Sequence, residues 1–226
     1  MRTARRTLGA VSAVNIAGPP ALSPIVRTER LTLRPFEEVD RGSFIAVHER
    51  SWATHLAPWS PLLDGDPPDF DGLFTQQLSR SMEGHAAGCA CRLAAFDQHD
   101  ALVGAFNLNN IVRGVFQSAD AGWWLSVDHL RRGYAVEAVK ALVSLALAPP
   151  REGSPLDGVR SGLGLHRVQC AVIPSNAPSL AVAQRAGFRR EGLARNYLKI
   201  HGRWQDHVLL AVTVEDGAPG AEPTTG

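Results

Sequence analysis

The chain has 226 residues, a formal net charge of +1, 45% hydrophobic residues and 20% charged residues. A chain of this length can bury a sizeable hydrophobic core, and the near-neutral charge argues against a nucleic-acid binder held by bulk electrostatics. The sequence has no apolar run approaching the roughly 18 residues that a membrane-spanning helix needs. We therefore predict a globular protein with neither nucleic acid nor membrane among its partners.

The N-terminal segment, residues 1–22, places Arg5 and Arg6 ahead of a weakly apolar stretch that Ser12 and Asn15 interrupt. This pattern faintly resembles an export signal, but its composition favours a disordered leader or an over-extended start codon. We therefore place these residues outside the fold.

The next residues predict one strand followed by two helices. Leu31 and Leu33 alternate with polar residues, as in an amphipathic strand. Helical spacing follows over residues 37–49, and after a loop rich in Pro, Gly and Asp it returns over residues 69–83.

Three strands follow, over residues 88–97, 101–112 and 118–128, with a short hairpin connection between the first two. An apolar helix over residues 135–147 comes next, and a stretch rich in Pro, Gly and Ser at 149–164 predicts a surface insertion. The remaining predicted segments are a strand (166–174), a helix (176–187), two strands (188–200 and 203–214) and a disordered tail (215–226). This order predicts a single α/β domain from residue 23 to residue 214, built on one mixed sheet.

Three cysteines, Cys89, Cys91 and Cys170, make an odd number without the spacing of a zinc site. Reduced thiols in the strands of a cytoplasmic protein are the simplest interpretation. We therefore predict a cytoplasmic location and no bound metal. We interpret Cys170 as a core residue and not as a nucleophile, because a buried cysteine behaves as a small hydrophobic residue.

The turn Arg131-Arg132-Gly133 joins the strand at 118–128 to the apolar helix. A helix N-terminus presents unpaired N–H groups and the positive end of the helix dipole, and no Asp or Glu within residues 131–136 neutralises them. Gly133 has no Cβ to keep a ligand away from the backbone, and Ala135 is nearly as small. We therefore predict a pyrophosphate site at this turn. The alternative is a turn whose arginines are simply solvated.

These residues also carry a family resemblance. Arg131-Arg132-Gly133-Tyr134-Ala135, followed by Glu137-Ala138, resembles the Q/R-x-x-G-x-G/A acyl-CoA loop of the GNAT acetyltransferase superfamily. The segments RTERLTLRPF (27–36), GWWLSVD (122–128) and 165–213 are similar to the RimJ/RimL branch of that superfamily, so the resemblance covers residues 25–214. It implies the GNAT acyl-CoA N-acyltransferase fold. That fold has a central, mostly antiparallel sheet of about seven strands, split between the fourth and the fifth and flanked by about four helices.

The resemblance implies an N-acetyltransferase that passes an acetyl group from acetyl-CoA directly to a primary amine, without an acyl-enzyme and without a metal. The RimJ/RimL branch suggests the N-terminal amine of a ribosomal protein as the acceptor. A small-molecule amine, such as an antibiotic or a metabolite, is the alternative, because fold-level analogy does not choose an acceptor. A CoA-binding sensor without catalysis is a third hypothesis. The family also suggests a homodimer, which no residue of this chain indicates.

The resemblance further assigns roles to individual residues. The pyrophosphate is expected on the amides of residues 131–136. The pantetheine arm is expected to pair with the backbone of Leu125 to Val127, where an N–H would polarise the thioester carbonyl. Asn176 and Ser179 match the N-x-x-S of the family. There the Asn commonly binds the pantetheine or an ordered water, and the Ser lies near the sulfur, with a plain helix cap as the alternative for Asn176. The predicted cofactor-binding residues are Leu125, Ser126, Val127, Arg131, Arg132, Gly133, Tyr134, Ala135, Asn176 and Ser179.

The acid that protonates the departing thiolate is not assigned by the resemblance. Many GNAT enzymes use a Tyr in the helix after the Asn, but the equivalent position here is Ala183. Ser179 is the first candidate for this catalytic role and Tyr197 the second, with an aromatic at the rim of the site as the alternative for Tyr197. Trp52 and Trp59 fall where the first helices of this branch line the acceptor groove, and we predict them as substrate-binding residues, with core packing as the alternative.

Overall fold

The computed structural model of the chain describes residues 24–61, 68–150, 162–200 and 202–217. These residues form an eight-stranded sheet with helices on both faces. The predicted leader at 1–22 lies outside the described residues. Most of the predicted insertion and most of the predicted tail lie outside them as well.

The elements follow the predicted order. The strands are β1 (Val26–Arg27), β2 (Leu31–Arg34), β3 (Cys91–Asp97), β4 (Leu102–Val112), β5 (Ser118–Leu125), β6 (Arg167–Val172), β7 (Arg189–Ile200) and β8 (Arg203–Thr213). The α-helices are α1 (Arg41–Ser51), α2 (Phe70–Ala86), α3 (Tyr134–Leu147) and α4 (Ala177–Arg185). Turns of 3-10 helix cover Glu38–Asp40, Ala57–Trp59, Val127–His129 and Val214–Asp216, and a π turn covers Trp52–Leu56. The strand beyond the seven predicted ones is the two-residue β1.

The sheet is antiparallel except at one junction. Its strand order is β1-β2-β3-β4-β5-β6-β8-β7, and only β5 and β6 run parallel among the described strands. These two pair over Ser118–Asp120 and Arg167–Gln169, at their first residues, and then part. The predicted GNAT sheet, split between the fourth and fifth predicted strands, is therefore confirmed. Because β5 and β6 run in the same direction, both carboxyl ends lie at the open end of the split, where ligands gather in α/β proteins.

Asp120 closes the narrow end of the split. Its carboxylate accepts one hydrogen bond from Gln169 Nε2 on β6 (2.7 Å) and another from Asn110 Nδ2 on β4 (2.7 Å). Asp120 is also the last residue of β5 that pairs with β6. The carboxylate thus ties three strands together just before β5 and β6 part.

The end of β5 is held from both faces of the sheet. Side chains alternate along a strand, so Trp123 and Leu125 pack with the larger core, which α3 and α4 cover. Trp124 packs with the smaller core beneath α1 and α2. The centroid of its ring lies 6.0 Å from that of Phe44 and 4.5 Å from that of His48. This packing fixes the end of β5 relative to α1 and α3.

The predicted insertion at 149–164 ends earlier than expected. Leu163 is 4% exposed and packs in the larger core. Its N–H donates to Leu145 O (2.8 Å), and the Leu165 N–H donates to Ala146 O (2.9 Å). These carbonyls belong to the last turn of α3, where no helical N–H reaches them. Residues 162–164 therefore belong to the core and not to a surface insertion.

The predicted tail starts too early. Residues Val214–Asp216 form a 3-10 turn in which Thr213 and Asp216 cap each other. Arg189 on β7 pairs with Asp216 (2.9 Å), which ties this turn to the sheet. The fold therefore continues beyond residue 214, because the last strand ends in a turn with its own cap.

Candidate active site

The open end of the split brings the starts of two helices together. β5 ends at Leu125, and α3 begins at Tyr134 after the 3-10 turn Val127–His129 and the turn at 131–133. β6 ends at Val172, and α4 begins at Ala177. The N-termini of α3 and α4 therefore both lie at the edge where β5 and β6 part, and the two helices pack against each other.

The turn before α3 has the backbone shape of an anion-binding nest. Arg131 and Gly133 have φ angles of 60° and 83°, whereas Arg132 between them does not have a positive φ. Such an alternation directs successive N–H groups into one concavity that binds anions. Gly133 is the N-cap of α3, and it has no side chain that could accept from the first-turn N–H groups. These amides are therefore suited to a phosphate group.

The two arginines of this turn are exposed and do not occupy the first position of the acyl-CoA motif. Counting back three residues from Gly133 gives Leu130 at the Gln/Arg position of Q/R-x-x-G-x-G/A. The likeness to the motif therefore rests on Gly133 and Ala135. The predicted contact with the pyrophosphate is therefore assigned mainly to the backbone amides and not to the arginine side chains.

Glu137 is an acidic residue in the first turn of α3, just beyond the 131–136 stretch that lacks acidic residues. Its carboxylate accepts hydrogen bonds from the Thr28 hydroxyl (2.6 Å), the Arg30 N–H (3.0 Å) and Arg30 Nε (2.7 Å). The loop between β1 and β2 therefore balances the charge of Glu137. The carboxylate does not neutralise the amides of the turn.

Arg30 is a site residue that sequence reasoning missed. Its Nη1 donates to Arg132 O (3.0 Å), and its guanidinium lies 4.6 Å from the centroid of the Tyr134 ring. The C=O of Arg132 and the N–H of Gly133 belong to one trans peptide and point in opposite directions. Arg30 therefore aims the Gly133 N–H away from itself. Arg30 is the second arginine of RTERLTLRPF. That segment supported the family resemblance, but the resemblance gave Arg30 no role of its own.

Glu137→Gln is expected to destabilise the protein by about 1 kcal/mol at neutral pH, because a charged acceptor is lost. Partial burial alone would raise the pKa of Glu137, but the bonds from Thr28 and Arg30 outweigh it and hold that pKa below its usual range. A carboxyl with a lowered folded-state pKa stabilises the fold above its unfolded pKa and loses this contribution as the pH falls through the folded value. Urea titrations of the wild type and the variant should therefore give free energies of unfolding that differ by a constant amount above about pH 5. This difference should shrink at lower pH.

Glu83→Gln serves as the control for this measurement, because Glu83 is exposed on α2 and bonds only locally to Ser79 among the described residues. It should change the free energy of unfolding by less than about 0.5 kcal/mol. If the effect of Glu137→Gln stays the same down to low pH, the Glu137 charge does not stabilise the fold.

The ladder between β4 and β5 decides which amides at the end of β5 are available. The Ser126 N–H donates to Val103 O (2.8 Å), and bonded and non-bonded pairs alternate along an antiparallel ladder. Leu125, opposite Gly104, falls at a non-bonded position, and its N–H and C=O point away from β4 into the split. The Val127 N–H donates to Ser51 Oγ (3.0 Å). Two of the three predicted pantetheine-pairing amides thus have acceptors within the protein, which leaves Leu125.

The end of α1 contacts this part of β5 through side chains. Arg50 pairs with Asp128 (2.8 Å), next to the bond between Ser51 and Val127. His55 Nε2 lies 2.7 Å from Leu125 O. No sequence pattern singled out His55, because its position depends on the π turn that continues α1 beyond Ser51.

Asn176 and Ser179 lie at the start of α4. Asn176 Oδ1 accepts a hydrogen bond from the Ser179 N–H (3.2 Å), so Asn176 caps the helix, as the alternative interpretation expected. Ser179 is half-buried in the first turn, at the same edge of the sheet as Leu125. Ala183 is fully buried, and the position of the family tyrosine is therefore a core position here.

Tyr197 lies on the edge strand β7. It is 42% exposed, and the centroid of its ring is 5.8 Å from that of His207 on β8. The register of β7 shifts between Ala194 and Leu198, so this part of the strand leaves the regular pairing. The structure thus places Tyr197 on the hairpin, and Ser179 at the helix N-termini.

Trp52 and Trp59 follow α1 but have different surroundings. Trp52 lines an open groove of about 540 Å³ between α1 and α2, and its ring lies 5.9 Å from that of Phe70. Trp59 ends the next 3-10 turn and is half-buried. Among the described residues, the groove lining includes Trp52 and not Trp59.

The two buried cysteines are packing residues. Burial raises the pKa of the Cys91 and Cys170 thiols to about 12, so neither forms a thiolate at neutral pH. Within the described ranges, no group of three or more His, Cys, Asp or Glu side chains is arranged to hold a metal ion. None of the described helices combines the length and the apolar character needed to cross a membrane.

Comparisons with known proteins agree with this architecture. A family model for the acetyltransferase (GNAT) domain matches residues 30–189. The ribosomal protein uS5-alanine N-acetyltransferase of Escherichia coli (strain K12) is 28% identical over 194 residues, which cover 85% of this chain and 92% of that protein. The probable N-acetyltransferase YjcK of Bacillus subtilis (strain 168) is 37% identical over 117 residues, which cover 52% of this chain and only 58% of YjcK.

A solved structure shares the fold over most of the chain. Mycobacterium smegmatis RimJ, in complex with CoA-disulfide, aligns with a TM-score of 0.72 at 25% sequence identity. The alignment covers 88% of this chain and 90% of that chain. The two chains therefore share the fold over most of their length.

Proposed function

Because this chain belongs to the acetyltransferase (GNAT) domain family and is an N-acetyltransferase, we propose that it transfers an acetyl group from acetyl-CoA to the N-terminal amine of a protein. The proposed acceptor is a ribosomal protein, the substrate named for the Escherichia coli relative that matches 85% of this chain. The proposed donor is supported by Mycobacterium smegmatis RimJ, whose structure shares this fold and holds CoA-disulfide.

The observation that supports this proposal most is that the turn at 131–133 and the backbone of Leu125 both lie at the open end of the split. The pyrophosphate of acetyl-CoA would bind the turn amides, with Arg131 and Arg132 as mobile cations beside it. The pantetheine arm would enter the split alongside the end of β5, so that its thioester reaches Leu125. The thioester carbonyl would then accept from the Leu125 N–H, which stabilises the developing oxyanion.

Direct attack also needs a proton for the departing thiolate. We assign this task to Ser179, because the start of α4 lies at the same edge of the sheet as Leu125. Asn176 holds the Ser179 backbone by capping the helix. Tyr197 on the hairpin between β7 and β8 stays the second candidate.

The groove beside Trp52 supports a peptide acceptor over a small amine. Its rim carries Glu49, Asp69 and Asp71, and only Asp71 of these pairs with a cation, Arg41 (2.7 Å), among the described residues. An open groove with carboxylates suits an extended chain with basic side chains, whereas a small ligand is usually enclosed in a pocket. The groove lies at the same end of α1 as Ser51, whose hydroxyl accepts a hydrogen bond from the Val127 N–H just after β5 (3.0 Å).

Two further predictions accompany this function. A cytoplasmic location would bring the protein to newly made ribosomal proteins and agrees with its free cysteines. A homodimer is a prediction from the family resemblance alone, and sedimentation velocity of the purified protein tests it.

The test of the function is acetyl-CoA-dependent thiol release with both classes of acceptor. Peptides that begin with Ala or Ser are compared with the same peptides blocked at the N-terminus, and with spermidine and an aminoglycoside. We expect release above the no-enzyme control with the free peptides and none with the blocked ones. Turnover with small amines alone would favour the alternative acceptor. CoA binding without turnover on any acceptor would favour the sensor.

A further inference from the structure

His55 is a titratable side chain beside the proposed reaction centre that no step above uses. It lies in the π turn Trp52–Leu56, which continues α1. Its Nε2 lies 2.7 Å from Leu125 O. A carbonyl oxygen can only accept, so Nε2 carries the hydrogen, and the lone pair of the neutral ring is on Nδ1.

The Nδ1 atom of His55 lacks a donor. It is shielded from solvent, and among the described residues it has no hydrogen-bond partner. Buried polar atoms in folded proteins are nearly always paired, and an unpaired one calls for an explanation such as a catalytic role. A cationic amine, which offers only donors, would satisfy this nitrogen.

The direction of the Leu125 backbone places this imidazole next to the thioester. The N–H and C=O of one residue in a strand point to the same side. The Leu125 N–H is the proposed donor to the thioester oxygen, and His55 bonds to the C=O of the same residue. We propose that His55 accepts, at Nδ1, the proton that the acceptor ammonium loses before it attacks. This inference rests on the proposed function.

The step balances with the reactants named. The ammonium R–NH3+ gives one proton to Nδ1, and its freed electron pair forms the N–C bond at the thioester carbonyl. When the tetrahedral intermediate collapses, the C–S bond breaks and its electron pair leaves on sulfur. The thiolate takes a second proton from the attacking nitrogen by way of Ser179, and the third hydrogen stays on the amide. The imidazolium then gives up its proton when the products leave and water reaches Nδ1.

The other titratable groups near the π turn have different partners. Those on α1, and on the 3-10 turn that contacts α1, are His48, Glu49, Arg50, Asp128 and His129. Burial lowers the pKa of His48 to about 4, so it stays neutral at physiological pH. Arg50 and Asp128 pair with each other, Glu49 lines the groove, and His129 lies 3.7 Å from Asp97. Unlike these groups, His55 contacts Leu125.

His55→Gln tests the assignment, because a glutamine amide can still donate to Leu125 O but cannot take a proton. The assay uses acetyl-CoA and the N-terminal peptide that the wild type acetylates best. We expect kcat to fall about 100-fold, the KM for acetyl-CoA to change less than about threefold, and the acid limb of the kcat profile to disappear. His55→Ala should lose as much activity and regain part of it with added imidazole. His166→Gln, an exposed histidine ahead of β6 at the far end of the sheet, should keep the wild-type rate and profile.

The outcomes separate this inference from the proposed function. If His55→Gln keeps the wild-type rate, or loses rate but keeps the acid limb, His55 is not the proton acceptor. Thermal unfolding of each variant verifies that the fold is intact. If the wild type itself turns over no acceptor, the proposed function is overturned and this inference with it.

Discussion

Gly133→Glu is expected to abolish acetyl-CoA binding. Gly133 has a φ of 83°, a region in which a side chain is strained by about 1 kcal/mol. The new carboxylate would also place a negative charge among the amides proposed for the pyrophosphate, and like charges repel strongly where water is excluded. Together these effects should weaken binding at least about 100-fold, measured by isothermal titration calorimetry.

Gly114→Glu is the matched control for this change. Gly114 also has a positive φ, 70°, and an added Cβ would meet no atom within 4 Å. It lies between β4 and β5, at the other end of β5 from Leu125. The variant carries the same charge change and similar strain, and we expect it to bind acetyl-CoA within about twofold of wild type. Unchanged binding by Gly133→Glu would mean that the turn does not hold the pyrophosphate.

Leu125→Pro is expected to lower kcat by about 100- to 1,000-fold while acetyl-CoA still binds. Proline removes the backbone N–H that we propose polarises the thioester. The ladder bonds of the sheet stay intact, because the Leu125 N–H points away from β4. Trp124 before it is in a strand, which is the conformation that a residue before proline prefers. Steady-state thiol release gives kcat, and calorimetry gives the binding constant.

Leu125→Ala separates the side chain of this residue from its amide. It removes most of the side chain but keeps the N–H, so kcat should stay within about tenfold of wild type. A Leu125→Pro variant that folds, binds acetyl-CoA and keeps the wild-type kcat would place the thioester at another group.

Residue patterns were enough to predict the sheet and the turn at its open end. Alternation over residues 118–128 and the apolar helix after it predicted β5 and α3, because burial on one or both faces leaves a periodic signal. Gly133 and the absence of acidic residues at 131–136 predicted a helix start that can bind an anion. Each of these features is local in the sequence, and so a single sequence can show it.

The missed features depend on contacts between distant parts of the chain. Arg30 and Glu137 are 107 residues apart, and no pattern links them. The acceptors of the Ser126 and Val127 N–H groups follow from the β4–β5 register and from the docking of α1. A shift of one residue in that register would exchange the roles of Leu125 and Ser126. The sequence predicted that the amides of Leu125, Ser126 and Val127 could all pair with pantetheine. Only the register shows that Leu125 alone of the three has its N–H directed into the split.

Acetylation of a peptide N-terminus is the most direct test of the function. The purified protein is incubated with acetyl-CoA and a peptide that begins with Ala and contains an internal lysine, and tandem mass spectrometry locates the added acetyl group. We expect acetylation of the α-amine alone, dependent on acetyl-CoA and absent with Gly133→Glu. An acetyl group on the lysine alone, or no acetylated peptide with any N-terminal residue, would contradict N-terminal acetyl transfer.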